Sequence, residues 1–195
     1  MSALTLNLYP VLKLTDEQFY QLCQTNRDLR LERTSSGELI IMPPTGGSTG
    51  NRNIKITAQL ENWSSQTDLG LAFDSSTGFR LPNGADRSPD AAWVQRERWD
   101  ALTSEQQTQF VPLCPDFVVE LRSATDSLIA LQNKMQEYMD NGARLGWLID
   151  PQTQQVEVYR AGQPKEVLQT PEILSGEDVL PDFVLNLKPI LVTKL

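Results

Sequence analysis

The spacing of apolar positions changes period several times along the chain, and each change predicts an element. Thr15-Asp16-Glu17-Gln18 reads as a capping box, and Phe19, Leu22 and Cys23 follow on one helical face. Residues 29–34 and 38–42 are strand-like runs separated by Ser35-Ser36-Gly37, a hairpin signal. Residues 43–50 (PPTGGSTG) read as a loop. A helix over about 51–66 should follow, with Ile54, Leu60 and Trp63 as core contacts. Short strands are expected at 71–74, 78–81 and 90–94, with Pro82-Asn83-Gly84 turning between the last two. Residues 96–102 and 104–110 look like short helical pieces.

The second half is patterned more strongly. Residues 116–122 (DFVVELR) are nearly continuously apolar at 117–119, as in a central strand. Asp126 is a candidate cap for a helix over about 127–141, closed by Gly142. Residues 145–149 form a strand stopped by Asp150-Pro151, and 156–160 should return as a hairpin. The unit 116–149 then reads as a parallel, right-handed crossover. The tail, 165–195, has Pro and Gly breaks and short apolar runs, as extra strand and cover material has. These elements predict a mixed α/β domain around one sheet. The length of 195 residues suits a single domain over 1–195, with a core at about 29–160 and a C-terminal extension at 161–195.

Composition narrows the chemistry. The chain has no histidine. That removes Ser-His-Asp and Cys-His nucleophile systems, HExxH zinc sites and any imidazole base. Two cysteines, Cys23 and Cys114, are too few for a disulfide framework and read as core thiols. No run approaches the roughly 18 apolar residues that span a bilayer. No base precedes Lys13, so a signal peptide is not expected, and a cytoplasmic location is the default. The four tryptophans, Trp63, Trp93, Trp99 and Trp147, read as core and rim aromatics rather than base-stacking platforms. The net charge of −8 opposes a protein that coats nucleic acid through a basic surface. It does not oppose a nuclease, because a bound divalent ion supplies positive charge locally. Residues 101–150 hold 3 bases and 7 acids, half of the net charge, as a solvated face or a cation site would.

Two segments repeat one theme: Ser88-Pro89-Asp90 followed by Ala91-Ala92-Trp93-Val94, and Cys114-Pro115-Asp116 followed by an apolar run ending in Glu120-Leu121-Arg122. Glu120 sits at the end of a buried strand, where a carboxylate is costly unless paired or holding a metal. Asp90 and Glu120 on neighbouring strands could share Mg²⁺, which takes oxygen ligands and keeps several waters. A Mg²⁺-bound water is a nucleophile that needs no histidine. Arg122 shares the face of Glu120 but cannot act as a base. Lys134 lies at the border of the helical stripe Leu128, Leu131, Met135, Tyr138 and Met139, from where its ammonium can reach a strand end. Glu32 could add a third acid from the N-terminal hairpin. The bland readings are turn and strand-start roles for Asp90 and Asp116, a strand-face charge pair for Glu120 and Arg122, and a solvated Lys134. Gly46-Gly47-Ser48-Thr49-Gly50 resembles an anion nest, but it lacks the GKS/T ending of a P-loop.

The blocks LRLERTSSGELIIMPPTGG, STGFRLPNGADRSPDAAWV, CPDFVVELRSATDSL, KMQEYMDNGARLGWLIDP and VEVYR followed by LSGEDVLPDFVLNL occur in this order. Over nearly its full length the chain resembles a restriction-endonuclease-like family of unknown function abundant in cyanobacteria, within the PD-(D/E)xK nuclease superfamily. The resemblance implies a restriction-endonuclease-like α/β core: a mixed central sheet flanked by helices, preceded by a helix and a β-hairpin. Pro89-Asp90 looks like the PD element, Glu120 like the (D/E), and Glu32 like the acid from the N-terminal hairpin. Arg122 stands at the nominal lysine position, a departure from the superfamily pattern, and Lys134 matches a lysine moved to the following helix.

The function implied is Mg²⁺- or Mn²⁺-dependent endonuclease hydrolysis of DNA. Asp90, Glu120 and the Leu121 carbonyl would hold metal, Lys134 would orient water and stabilise charge, and Glu32 would hold a metal-bound water or second ion. Arg122 could be auxiliary. A homodimer would suit cutting of both strands. The alternatives are a nuclease-fold binding or regulatory module that no longer cuts, and a metal-dependent hydrolase of small phosphoesters.

Overall fold

The computed structural model describes residues 3–192. Strand β1 (Leu4–Leu6) precedes helix α1 (Asp16–Thr25). The capping box forms as the sequence predicts: the Gln18 N–H donates to the Thr15 hydroxyl, and the Thr15 N–H to the Gln18 side chain. The hairpin follows as β2 (Arg30–Arg33) and β3 (Leu39–Met42), with Gly37 at φ +89 in its turn. Then come α2 (Gly47–Thr67), β4 (Gly70–Asp74), β5 (Phe79–Arg80), β6 (Asp86–Arg87) and β7 (Ala91–Gln95). Short helices α3 (Arg96–Asp100) and α4 (Ser104–Thr108) lead to β8 (Phe117–Leu121), α5 (Leu128–Asp140) and β9 (Leu145–Asp150). Finally β10 (Gln155–Arg160), β11 (Glu166–Gln169), β12 (Ile173–Ser175), β13 (Val184–Asn186) and α6 (Lys188–Leu191) complete the described chain.

The strands fall into two large sheets and a hairpin, where the sequence suggested one sheet. The central six-stranded sheet runs β11-β10-β9-β8-β7-β4. Only β8 and β9 are parallel, joined through α5; the other pairings are antiparallel. Both strands of the parallel pair are buried along their whole length, which explains their unbroken apolar runs. The N-terminal hairpin instead joins a second, antiparallel sheet, β1-β3-β2-β6-β5. Its outer members have two or three residues each, too few for periodicity to reveal. Among the described residues β12 and β13 pair only with each other.

One apolar cluster lies on the α2 and α6 side of the central sheet, around Ile56, Trp93, Phe117, Trp147 and Phe183. The other lies on the α5 side, around Phe79, Val118, Met135, Tyr138 and Leu148. Two local expectations need correcting. Ile54 is 62% exposed, and Ile56 fills the core instead, because the inward stripe of α2 runs through Thr49, Ile56, Leu60 and Ser64. The N-cap of α5 is Ser127, whose side chain accepts from the Ala130 N–H; Asp126 accepts from the Ser123 N–H. Both cysteines are free, and burial first of all pushes their thiols up to about 11 at Cys23 and about 12 at Cys114. Among the described residues, no helix is long and apolar enough to cross a membrane.

Candidate active site

The β7–β8 register pairs Ala91 with Val119 and Ala92 with Val118. One step further out, Asp90 faces Glu120 across the two strands. Asp90 Oδ2 accepts the Leu121 N–H at 2.8 Å, so the acid closes the end of the strand that carries Glu120. Its other oxygen, Oδ1, accepts from Asn53 Nδ2 of α2 at 2.9 Å. In the β8–β9 ladder the Arg122 N–H goes to Ile149. The peptide groups of Leu121 therefore face the β7 side, where Asp90 lies.

Glu120 is buried at 4% exposure on a strand with no exposed residue. Its Oε1 takes two donors from α5: Lys134 Nζ at 2.8 Å and the Tyr138 hydroxyl at 3.1 Å. Lys134 and Tyr138 are four residues apart, hence on one helical face. α5 can lie this close to the sheet because β9 carries Gly146, where a Cβ would come within 2.5 Å of Met135 Cε.

Lys134 also lies 2.8 Å from Glu32 Oε1, so one ammonium joins the two sheets. Glu32 has further donors. The Ser88 N–H reaches Oε1 at 2.9 Å and Arg87 Nη1 reaches Oε2 at 3.1 Å, while Arg87 Nε holds Glu137 at 2.6 Å.

Burial and charge set the protonation states. At Glu120, burial raises the pKa, Lys134 opposes it, and the nearby charges of Asp90 and Glu32 add to it, leaving the group at about 7. Burial also raises Asp90, against the Leu121 N–H, Lys134, Arg30 and Asn53. Glu32 goes the other way: burial opposes ionisation, but Lys134 and Arg87 together hold it below the ordinary carboxylate value. Burial disfavours the Lys134 charge, and Glu120 and Glu32 more than restore it, so this side chain is a fixed cation and not a base.

The structure thus brings together Glu32, Asp90, Glu120, Lys134 and the Leu121 backbone. It turns Arg122 elsewhere: Nη1 pairs with Asp150 at 2.7 Å and Nε donates to the Asp126 carbonyl. Sequence reasoning missed Asn53, Tyr138's hydroxyl, Arg87 and the Ser88 N–H. Only Asn53 had a legible signal: it follows Thr49 and precedes Ile56, Leu60 and Ser64 on the inward stripe of α2, at its polar end.

The donor chemistry suits a small, hard divalent ion. Among the described residues no three His, Cys, Asp or Glu side chains cluster as a metal cage. Two carboxylates with retained waters remain, as Mg²⁺ prefers. Among the described residues the buried Asn53 Oδ1 has no hydrogen-bond partner, so beside Asp90 an acceptor waits for a donor such as a coordinated water.

The family model described as "Uma2: Putative restriction endonuclease" matches residues 16–188. The chain belongs to this family. All four acidic and basic residues of the cluster fall inside the Uma2 match. No curated protein matches the chain. Among solved structures, the chain is similar to "a putative nuclease belonging to DUF820" from Anabaena variabilis ATCC 29413. The TM-score is 0.76 at 20% identity, covering 91% of this chain and 97% of that one, so the Uma2 chain shares its α/β fold.

Proposed function

We propose that this Uma2 protein is a divalent-metal-dependent endonuclease that hydrolyses DNA phosphodiester bonds. The observation that carries the reading is the convergence of Asp90 and Glu120 on adjacent strand ends, with Lys134 2.8 Å from Glu120. Asp90 and Glu120 would hold Mg²⁺ or Mn²⁺, with the Leu121 carbonyl on the same side of β8. Bound there, the ion supplies Lewis acidity and a water of lowered pKa. Asn53 fixes the Asp90 carboxylate and offers Oδ1 to a coordinated water. Lys134, permanently protonated, stabilises negative charge that develops on the phosphate. Glu32, itself held by Arg87 and Ser88, keeps the ammonium in place. Arg122, engaged by Asp150, is given no part in the chemistry.

The test is cleavage of supercoiled plasmid by purified protein with Mg²⁺ or Mn²⁺. Asp90→Ala and Glu120→Ala should each abolish it; activity that survives both would sink the reading. A second reading, a nuclease-fold module that binds without cutting, draws on the pairing of Lys134 with Glu120 at 2.8 Å. Absence of Mg²⁺ and Mn²⁺ binding by calorimetry would favour it.

A further inference from the structure

Most cations around the site are committed. Arg33 pairs with Asp16 and Asp86, Arg80 with Asp86, Arg87 with Glu32 and Glu137, and Arg122 with Asp150. Lys134 lies between two acids. Arg30 differs. It opens β2 two residues before Glu32, so both project from one face of the strand. It stands opposite Met42, where the chain leaves β3 for the α2 turn that carries Asn53. Its Nη2 donates to the Ser75 carbonyl, just past β4, at 2.7 Å, and among the described residues it forms no ion pair. Its positive charge also reaches Asp90, where it favours the ionised carboxylate.

A half-buried guanidinium held, among the described residues, by one carbonyl keeps N–H donors for a further partner. It suits an anion that arrives with the substrate. Arginine presents paired donors that match the two oxygens of a phosphate, and one fixed carbonyl contact pre-orients the fork. A chain of net charge −8 also needs a local cation to receive a polyanion.

Building on the nuclease reading, we propose that Arg30 grips a backbone phosphate of the DNA strand beside Asp90, and so positions the substrate against the metal-binding acids. Arg30 is a substrate-binding residue, distinct from the ligands themselves.

The experiment is anisotropy titration of labelled duplex DNA with Ca²⁺ in place of Mg²⁺, across a salt series. The proteins are wild type, Arg30→Gln and Arg30→Lys, each checked by thermal melting. Loss of one phosphate contact should reduce the slope of log K against log salt by about 1 in Arg30→Gln. Its affinity should fall about tenfold, the effect of one charge-assisted contact. Mg²⁺ affinity without DNA should stay equal or tighten, because a cation near Asp90 has gone. Arg30→Lys keeps the point charge and should keep the slope while losing part of the affinity. An unchanged slope in Arg30→Gln, or a lowered one in Arg30→Lys, overturns the assignment. Wild-type protein that binds no DNA overturns the nuclease reading itself, and Arg30's role with it.

Discussion

Tyr138 donates its hydroxyl to Glu120 Oε1, the same oxygen that carries the Lys134 ammonium. Both protein donors thus act on one side of the carboxylate, and no described residue donates to Oε2. The acid is steadied through one oxygen and free to bind through the other.

Tyr138→Phe separates these roles. It removes a buried donor without changing shape, and stability should fall by about 1–2 kcal/mol in urea denaturation. Mg²⁺ affinity, which depends on the other oxygen, should move less than threefold. A larger loss of metal binding than of stability would show that Tyr138 helps form the ligand set.

The pH dependence follows from Glu120. Its pKa is raised from 4.5 to about 7, mainly by burial, so folding favours its protonated form. The stability it contributes is full below about pH 4.5 and is lost as pH rises through about 7. A divalent ion must displace that proton. Calorimetry in buffers of different ionisation enthalpy should find nearly one proton released per Mg²⁺ at pH 6 and almost none at pH 8. Affinity should rise over the same interval. Affinity independent of pH would show that Glu120 is not a ligand.

Lys134→Met leaves Glu32 and Glu120 buried without their shared cation. Breaking a buried pair from one side costs about 3–5 kcal/mol. The loss should be greater at pH 8 than at pH 6, where Glu120 can take up a proton instead. Millimolar Mg²⁺ should restore part of the melting temperature, and cleavage should be lost. Equal destabilisation at both pH values would contradict the ionisation assigned to Glu120.

Two isoleucines of α2 give a stability comparison. Ile56→Ala opens a void in the core and should cost about 2–5 kcal/mol. Ile54→Ala, at a 62% exposed position, should stay within about 0.5 kcal/mol. Urea denaturation of both variants measures the difference.

That pair marks where the sequence was legible. Elements with a local cause were readable: the Thr15 capping box, the 35–37 turn, the apolar β8 and the β9–β10 hairpin. Asp90, Glu120 and Lys134 were candidates beside turn, strand-face and solvated readings, and the family resemblance singled them out; the structure brings the three together. β6, with two residues, has no periodicity, so Arg87 could not be assigned to the Glu32 pocket. The loop composition of PPTGGSTG hid the first turn of α2. Arg30 looked like any charge on a strand, since its role depends on Ser75 and Asp90, 45 and 60 residues away.

The contact between Glu32 and Lys134 spans 102 residues. A chain made from its N-terminus therefore exposes β2 and Arg87 of β6 long before the second cation on Glu32 exists. The N-terminal sheet can pair Glu32 with its own Arg87, but Oε1 must wait for the ammonium of α5. During synthesis the strand that carries Glu32 stays open at that face. The site closes late, when α5 docks on the completed β8. A ribosome-bound fragment ending before residue 134 should hold its hairpin loosely and bind no metal, so competence would arrive with the last third of the chain.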